Sequence, residues 1–274
     1  MTKAVRVVLL AGLLGLSACG GFLAPVPATP APPTPVPTET PTIVWFPPTN
    51  TPTLLPTPTV GPTVEPLPGV GALLFSDNFS QASAWNTASS NAASAVVADG
   101  HLILSINGPG PLTLVSLRSE PAVADFYARA TVSLSLCQAN DAFGMIFRAS
   151  SGNDYYRFTI SCSGQVRLER ARGGSIEILQ DWLPTGDAPR GAPAQVLLGV
   201  WAVANEMRFL LNDTLQFTAH DPLLHSGTLG FFISASGASP VTAAFSDLSV
   251  SSVTYVSPTP TLVPTSTSLP TRTP

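Results

Sequence analysis

Between residues 71 and 255 the hydrophobic positions recur with a period of two, not 3.6. Tyr156, Phe158, Ile160 and Cys162 alternate with Tyr155, Arg157, Thr159 and Ser161. Phe126, Ala130, Val132, Leu134 and Leu136 alternate with Tyr127, Arg129, Thr131, Ser133 and Ser135, and Phe143, Met145 and Phe147 with Gly144, Ile146 and Arg148. Successive side chains of a strand point to opposite faces, so this pattern predicts antiparallel strands with one buried and one wet face. Breaks rich in Gly, Asn, Asp and Ser at 99–100, 151–154, 163–164, 172–174, 212–213 and 226–227 supply the turns. Strands are expected over 73–76, 94–98, 101–106, 112–117, 124–136, 142–149, 154–162, 165–171, 175–180, 195–203, 206–211, 214–219, 228–235 and 241–253. No window carries a helical stripe. The expected fold is all-β, a two-sheet antiparallel sandwich.

The flanks have a different chemistry. Residues 24–68 hold 16 Pro and 11 Thr, with Glu39 and Glu65 as the only charges. Proline removes a backbone donor and fixes φ, so neither helix nor central strand runs through such a density. A disordered, semi-rigid polyproline-II stalk is expected, and at about 3.1 Å per residue it reaches roughly 140 Å at most. One apolar patch, Ile43-Val44-Trp45-Phe46-Pro47-Pro48, interrupts it. Residues 257–274, with five Pro and six Thr, repeat the stalk's chemistry. At the N-terminus, Lys3 and Arg6 precede an apolar run from Val7 to Leu16. That run is shorter than the ~20 residues a membrane span needs and reads as a secretory signal. Leu16-Ser17-Ala18-Cys19-Gly20 resembles the lipobox of bacterial lipoproteins, which implies lipidation of Cys19 and anchoring to the outer face of the cell envelope. The expected organisation is a signal and lipobox over 1–19, a stalk over 20–70, a sandwich over 71–255 and a tail over 256–274.

Charge and cysteine usage narrow the partners. The chain carries 12 basic and 16 acidic residues, a formal charge of −4. Removal of Lys3 and Arg6 with the signal leaves no lysine and a more acidic protein. Nucleic acid, which needs a basic stripe to neutralise phosphates, is an unsuitable partner. Anionic lipid head groups are equally unsuitable, so acyl chains rather than protein surface would hold the chain to the membrane. With Cys19 lipidated, Cys137 and Cys162 remain as an even pair in an exported protein, and a disulfide is expected. If 126–137, 142–149 and 154–162 form one meander, the two cysteines lie two strand spacings apart, about 9.6 Å, beyond the ~7 Å reach of a disulfide. The 138–141 loop or a bulge must then bring them together.

Several segments, in order, resemble concanavalin A-like jelly-roll domains, in particular bacterial laminin-G-like and 3-keto-disaccharide-hydrolase-like ones. The opening resembles Leu74-Phe75-Ser76-Asp77-Asn78-Phe79, Trp85 and Val97-Ala98-Asp99-Gly100-His101-Leu102. The central sheet resembles Asp125-Phe126-Tyr127-Ala128, Phe143-Gly144-Met145-Ile146-Phe147-Arg148 and Tyr155-Tyr156-Arg157-Phe158. The end resembles Leu211-Asn212-Asp213, Gly227-Thr228-Leu229-Gly230-Phe231 and Ala244-Phe245-Ser246-Asp247-Leu248. The resemblance covers 72–253 and implies a concave sheet face on which sugars bind. By parity Arg148, Tyr155, Arg157, Arg167 and Glu169 project from the side opposite Tyr156, Phe158, Val166 and Leu168, and Trp182 falls in a loop at the rim. Arginine forks and aromatic rings suit hydroxyl-rich or carboxylated glycans. The bland alternative is a wet face of cross-strand Arg–Glu pairs. The glucanase pattern Glu-x-Asp-x-x-Glu does not occur, and Glu169 with Asp181 is the acid pair most worth inspection as a two-carboxylate site. The expected function is glycan binding by a monomeric surface lipoprotein, with a glycoside-processing enzyme and a passive spacer or adhesion domain as alternatives. No cofactor is required. Structural calcium, which the resemblance allows, would fall to Asp77 and Asp247.

Overall fold

Alternation becomes strand along the whole stretch. The computed structural model describes residues 65–237 and 240–256. The lipobox with Cys19, the Ile43–Pro48 patch, most of the stalk and the tail from residue 257 lie outside the described residues. In chain order the strands are β1 (Val70–Asp77), β2 (Ala88–Ser89), β3 (Ala93–Ala98), β4 (His101–Ile106), β5 (Leu112–Leu117), β6 (Phe126–Leu136), β7 (Ala142–Ser151) and β8 (Asp154–Ser161). They continue as β9 (Gln165–Arg172), β10 (Ser175–Pro184), β11 (Ala194–Val203), β12 (Glu206–Leu211), β13 (Thr214–His220), β14 (Thr228–Ala235) and β15 (Val241–Val253). All fourteen expected segments form strands. The two-residue β2 was not expected, and β10 extends four residues beyond its expected end.

The strands form two antiparallel sheets in a jelly-roll sandwich. One runs β13-β12-β11-β6-β15-β4-β3-β2 with β1 on β15, and the other runs β10-β9-β8-β7-β14-β5. The alternating apolar residues fill the space between them, with Phe126, Val132, Phe143, Met145, Phe147, Phe158, Phe209, Phe231 and Phe245 in one buried cluster. Phe231 stacks on Phe245 across the sheets at 4.4 Å between ring centroids. At about 25 cal/mol per Å2 of apolar surface removed from water, each such ring contributes roughly 2 kcal/mol or more. A smaller cluster of Tyr127, Trp201, Val203, Leu210 and Val253 lies apart from this core. Residues 65–68, proline-rich by composition, reach it: Trp201 Nε1 donates to the Pro68 carbonyl at 3.0 Å and Arg208 Nη1 to that of Glu65 at 2.7 Å.

The cysteines are joined, but not as a single meander requires. β6 belongs to the nine-stranded sheet, whereas β7 and β8 belong to the six-stranded one. The Cys137–Cys162 disulfide, Cα atoms 5.9 Å apart, therefore straps one sheet to the other. The chain changes sheet at 138–141, where Asp141 accepts from the Gln138 and Ser236 backbone N–H groups. A bridge spanning 25 residues of sequence restricts the unfolded chain enough to be worth about 3 kcal/mol. Urea unfolding of a Cys137→Ser, Cys162→Ser double variant should show a loss of that size with the fold retained.

Candidate functional site

Four of the six residues expected on the sugar-binding face come together on the outward side of the six-stranded sheet. Phe143 and Met145 of β7, Phe158 and Ile160 of β8, and Val166 and Leu168 of β9 all face the core. Alternation therefore turns Gly144, Arg157, Thr159, Arg167 and Glu169 outward. Arg157 pairs with Glu169 across β8 and β9. Its Nε and Nη2 donate to the two Glu169 oxygens at 2.6 and 3.0 Å, a bidentate fork. Thr159 Oγ1 adds a third bond to Glu169 at 2.8 Å. Arg167 Nε lies 3.5 Å from the same carboxylate. Two aromatic rings flank the row: the Arg157 guanidinium stands over Phe232 at 5.4 Å and that of Arg167 over Trp182 at 5.1 Å. The Phe232 stack depends on glycine at 144, because a Cβ there would clash with the Phe158 carbonyl oxygen and fall 2.9 Å from the Phe232 ring.

These groups line an open cleft of about 170 Å3, together with Asn140, Ala142 and Ser234. Small-molecule sites usually enclose about 300–1,000 Å3, so this open cleft is small, on the scale of one sugar ring. The disulfide bears on it directly, because Asn140 sits in the 138–141 crossover that Cys137 and Asp141 pin in place. Beyond the cleft the edge strand β10 presents Ile176 and Ile178, each nearly half exposed.

Three expectations need correction. Trp182 is not in a loop but within β10, where register shifts on either side of Gln180 break the simple alternation. Arg148 is not on the outward face at all. In β7 two residues, Phe147 and Arg148, stand opposite Leu229 of β14; Arg148 takes a φ of 50° and its side chain is fully buried. Its guanidinium donates to the carbonyls of Ala124, Ala204 and Leu224, tying three loops at one end of the sandwich. Burial pulls its pKa below the ordinary arginine value, with Tyr156 and Asp125 acting in the other direction. Tyr155 is buried in a small apolar cluster with Ile146, Ala149, Ala171 and Phe232, and does not line the cleft.

The same end of the molecule carries a polar network absent from the sequence reading. Tyr156 donates to Asp221, which also pairs with Arg170; Arg170 reaches Glu177 in turn. The Leu224 backbone N–H donates to the Tyr156 oxygen at 3.1 Å. Burial first, then the bond to Asp221, pushes the Tyr156 phenol up to about 12, and burial does the same to Tyr127. The neutral phenol is thus the form the fold prefers. Its contribution is complete below the unfolded-state pKa of 10.0 and is lost as pH rises from there towards about 12. Unfolding midpoints measured from pH 9 to 12 should fall across that window, and Tyr156→Phe should flatten part of the fall.

Glu169 is the only carboxylate among the described residues lining the cleft, and Asp181 is not one of them. The exposed Asp181 carboxylate instead accepts from the Trp182 backbone N–H. A larger cleft of about 550 Å3 opens on the other sheet, lined by Ser76, Asp77, Arg129, Thr131 and Asp247 among others. Among the described residues none of its lining is aromatic, and its Arg129 pairs through Nη2 with the exposed Asp213. The two acids expected to hold calcium do meet there through the β1–β15 pairing. However, Asp77 already accepts from Phe79 N–H, Trp85 Nε1 and Arg118 Nε. Among the described residues no three His, Cys, Asp or Glu group as a metal site.

No protein-family model matches the chain, and no curated protein matches its sequence. Solved structures do. A carbohydrate-binding module from Bacillus subtilis aligns over 62% of this chain and 96% of its own, at 17% identity and a TM-score of 0.48. The catalytic domain of an endo-1,3-beta-glucanase (laminarinase) from Thermotoga petrophila aligns over 67% and 98%, at 9% identity and 0.47. A beta-glucanase from Bacillus licheniformis aligns over 66% and 98%, at 11% identity and 0.46.

Proposed function

We propose that this protein is an exported lipoprotein, anchored through Cys19, whose sandwich binds glycan in the cleft of the six-stranded sheet. The observation that carries the reading is the row Phe232, Arg157, Glu169, Arg167, Trp182: rings at both ends and hydrogen-bonding groups between them. A sugar ring has an apolar face that stacks on an aromatic and a rim of hydroxyls that needs fixed donors and acceptors. Here those groups are held before any ligand arrives, because Glu169 fixes Arg157 and Trp182 fixes Arg167, so less ordering entropy is lost on binding.

Binding is favoured over hydrolysis by the state of Glu169. Hydrolysis by two carboxylates needs a partner acid about 5–9.5 Å away, and the cleft's other described side chains are Arg, Thr, Trp, Asn, Phe, Ser and Ala. Both Glu169 oxygens are engaged by donors. Affinity electrophoresis of the full chain through gels containing envelope and plant polysaccharides tests the reading. Retardation by at least one polymer, lost in Arg157→Ala at unchanged melting temperature, is expected; equal mobility in every gel would contradict it. Anchoring is tested separately. A palmitate analogue should label the chain in cells, and Cys19→Ala should abolish the label.

A further inference from the structure

The charge balance inside the cleft narrows the class of glycan. Arg118, Arg129, Arg148, Arg170 and Arg208 each have at least one carboxylate to themselves. Arg157 and Arg167 share one, Glu169. The sharing is unequal. Arg157 takes Glu169 in a two-point fork, and Thr159 adds a further bond to the same carboxylate. What remains for Arg167 is a 3.5 Å approach of its Nε without a hydrogen bond, and that Nε is buried. Its side chain is 18% exposed and its guanidinium lies against the Trp182 ring. The result is a net positive, partly desolvated cleft on a chain whose overall charge is −4.

The Arg167 guanidinium lines the cleft beside the Trp182 ring and makes no hydrogen bond to Glu169, and such a fork suits a planar two-oxygen acceptor. Neutral hydroxyls would satisfy the donors but not the surplus charge. We infer that the ligand is an acidic glycan whose sugar carboxylate binds the Arg167 guanidinium beside Trp182. The inference rests on the glycan-binding reading and adds the charge of the sugar to it. It also accounts for the acidic remainder of the surface, which keeps such a polymer from spreading non-specifically over the protein.

The test is calorimetric titration of the full chain with short oligomers of galacturonate, glucuronate and mannuronate, each paired with its carboxyl-reduced, neutral counterpart. In at least one pair the acid form should bind about tenfold or more tightly than the neutral form, the scale of one bidentate charged contact. Arg167→Gln should bring the two forms of that pair to within about twofold, and Arg167→Lys, which keeps the charge but not the fork, should fall between. Equal binding of acid and neutral forms in the native chain would overturn the acidic assignment while leaving glycan binding intact. Binding of neither form in any pair would also overturn the acidic assignment, and glycan binding itself would fall only if no polysaccharide retards the chain. The native-chain comparison stands by itself should a variant fold poorly.

Discussion

Replacement of Arg148 by methionine is expected to lower stability by about 4 kcal/mol and the melting temperature by about 10 °C. Methionine keeps most of the apolar volume, so the loss isolates the guanidinium. That group donates to the Ala124, Ala204 and Leu224 carbonyls across three loops. Without it, three part-buried acceptors lose their donor at about 1–3 kcal/mol each, partly recovered by relaxation and water. Urea unfolding of native and variant chains measures the difference directly. A change below 1 kcal/mol would mean that water already shares those carbonyls.

Trp182→Ala is expected to do the reverse, removing ligand binding with little effect on stability. The residue lies on the edge strand β10, half-buried, and packs on Arg167 rather than into the core. A sugar stacked on the indole removes about 80 Å2 of apolar surface from water, about 2 kcal/mol or roughly a thirtyfold change in Kd. Loss of the ring also frees the Arg167 side chain, adding an entropic cost to binding. Direct titration of the variant with whichever polymer retards the native chain would show that weakening, and calorimetric melting within about 1 °C of native would show that the fold is intact.

The two predictions concern residues that the sequence treated alike, and the reason is local geometry. Parity assigns faces correctly while a strand is regular: Arg157, Thr159, Arg167 and Glu169 all lie where alternation puts them. It fails at a bulge, because one extra residue exchanges the two faces. The extra residue in β7 takes Arg148 inward, and the shifts around Gln180 hide that Trp182 is part of a strand. A positive φ at a non-glycine residue, as at Arg148, leaves no trace in composition. Nor does alternation say which sheet a strand joins. β6 and β7 look like neighbours in one meander, yet the four residues 138–141 carry the chain from one sheet to the other. Tyr155 shows a third limit: its face is legible, but whether Ile146, Ala149 and Phe232 cover it depends on neighbours far apart in sequence. The Tyr156–Asp221–Arg170 network joins residues up to 65 positions apart, and no spacing rule finds it.

The claim that the cleft is a glycan site is tested most directly at the Trp182 indole. Trp85 Nε1 and Trp201 Nε1 are hydrogen-bonded inside the fold, to Asp77 and to the Pro68 carbonyl. Trp182 alone of the chain's four tryptophans lines the cleft among the described residues. In a proton–nitrogen correlation spectrum of the full chain, its side-chain N–H peak is identified by its loss in Trp182→Phe. On addition of the polysaccharide fragment that best retards the chain, up to about 10 mM to reach weak affinities, that peak should move along a saturable curve while those of Trp85 and Trp201 stay in place. A Trp182 peak that does not move while the fragment is demonstrably bound would place the ligand elsewhere and contradict the account.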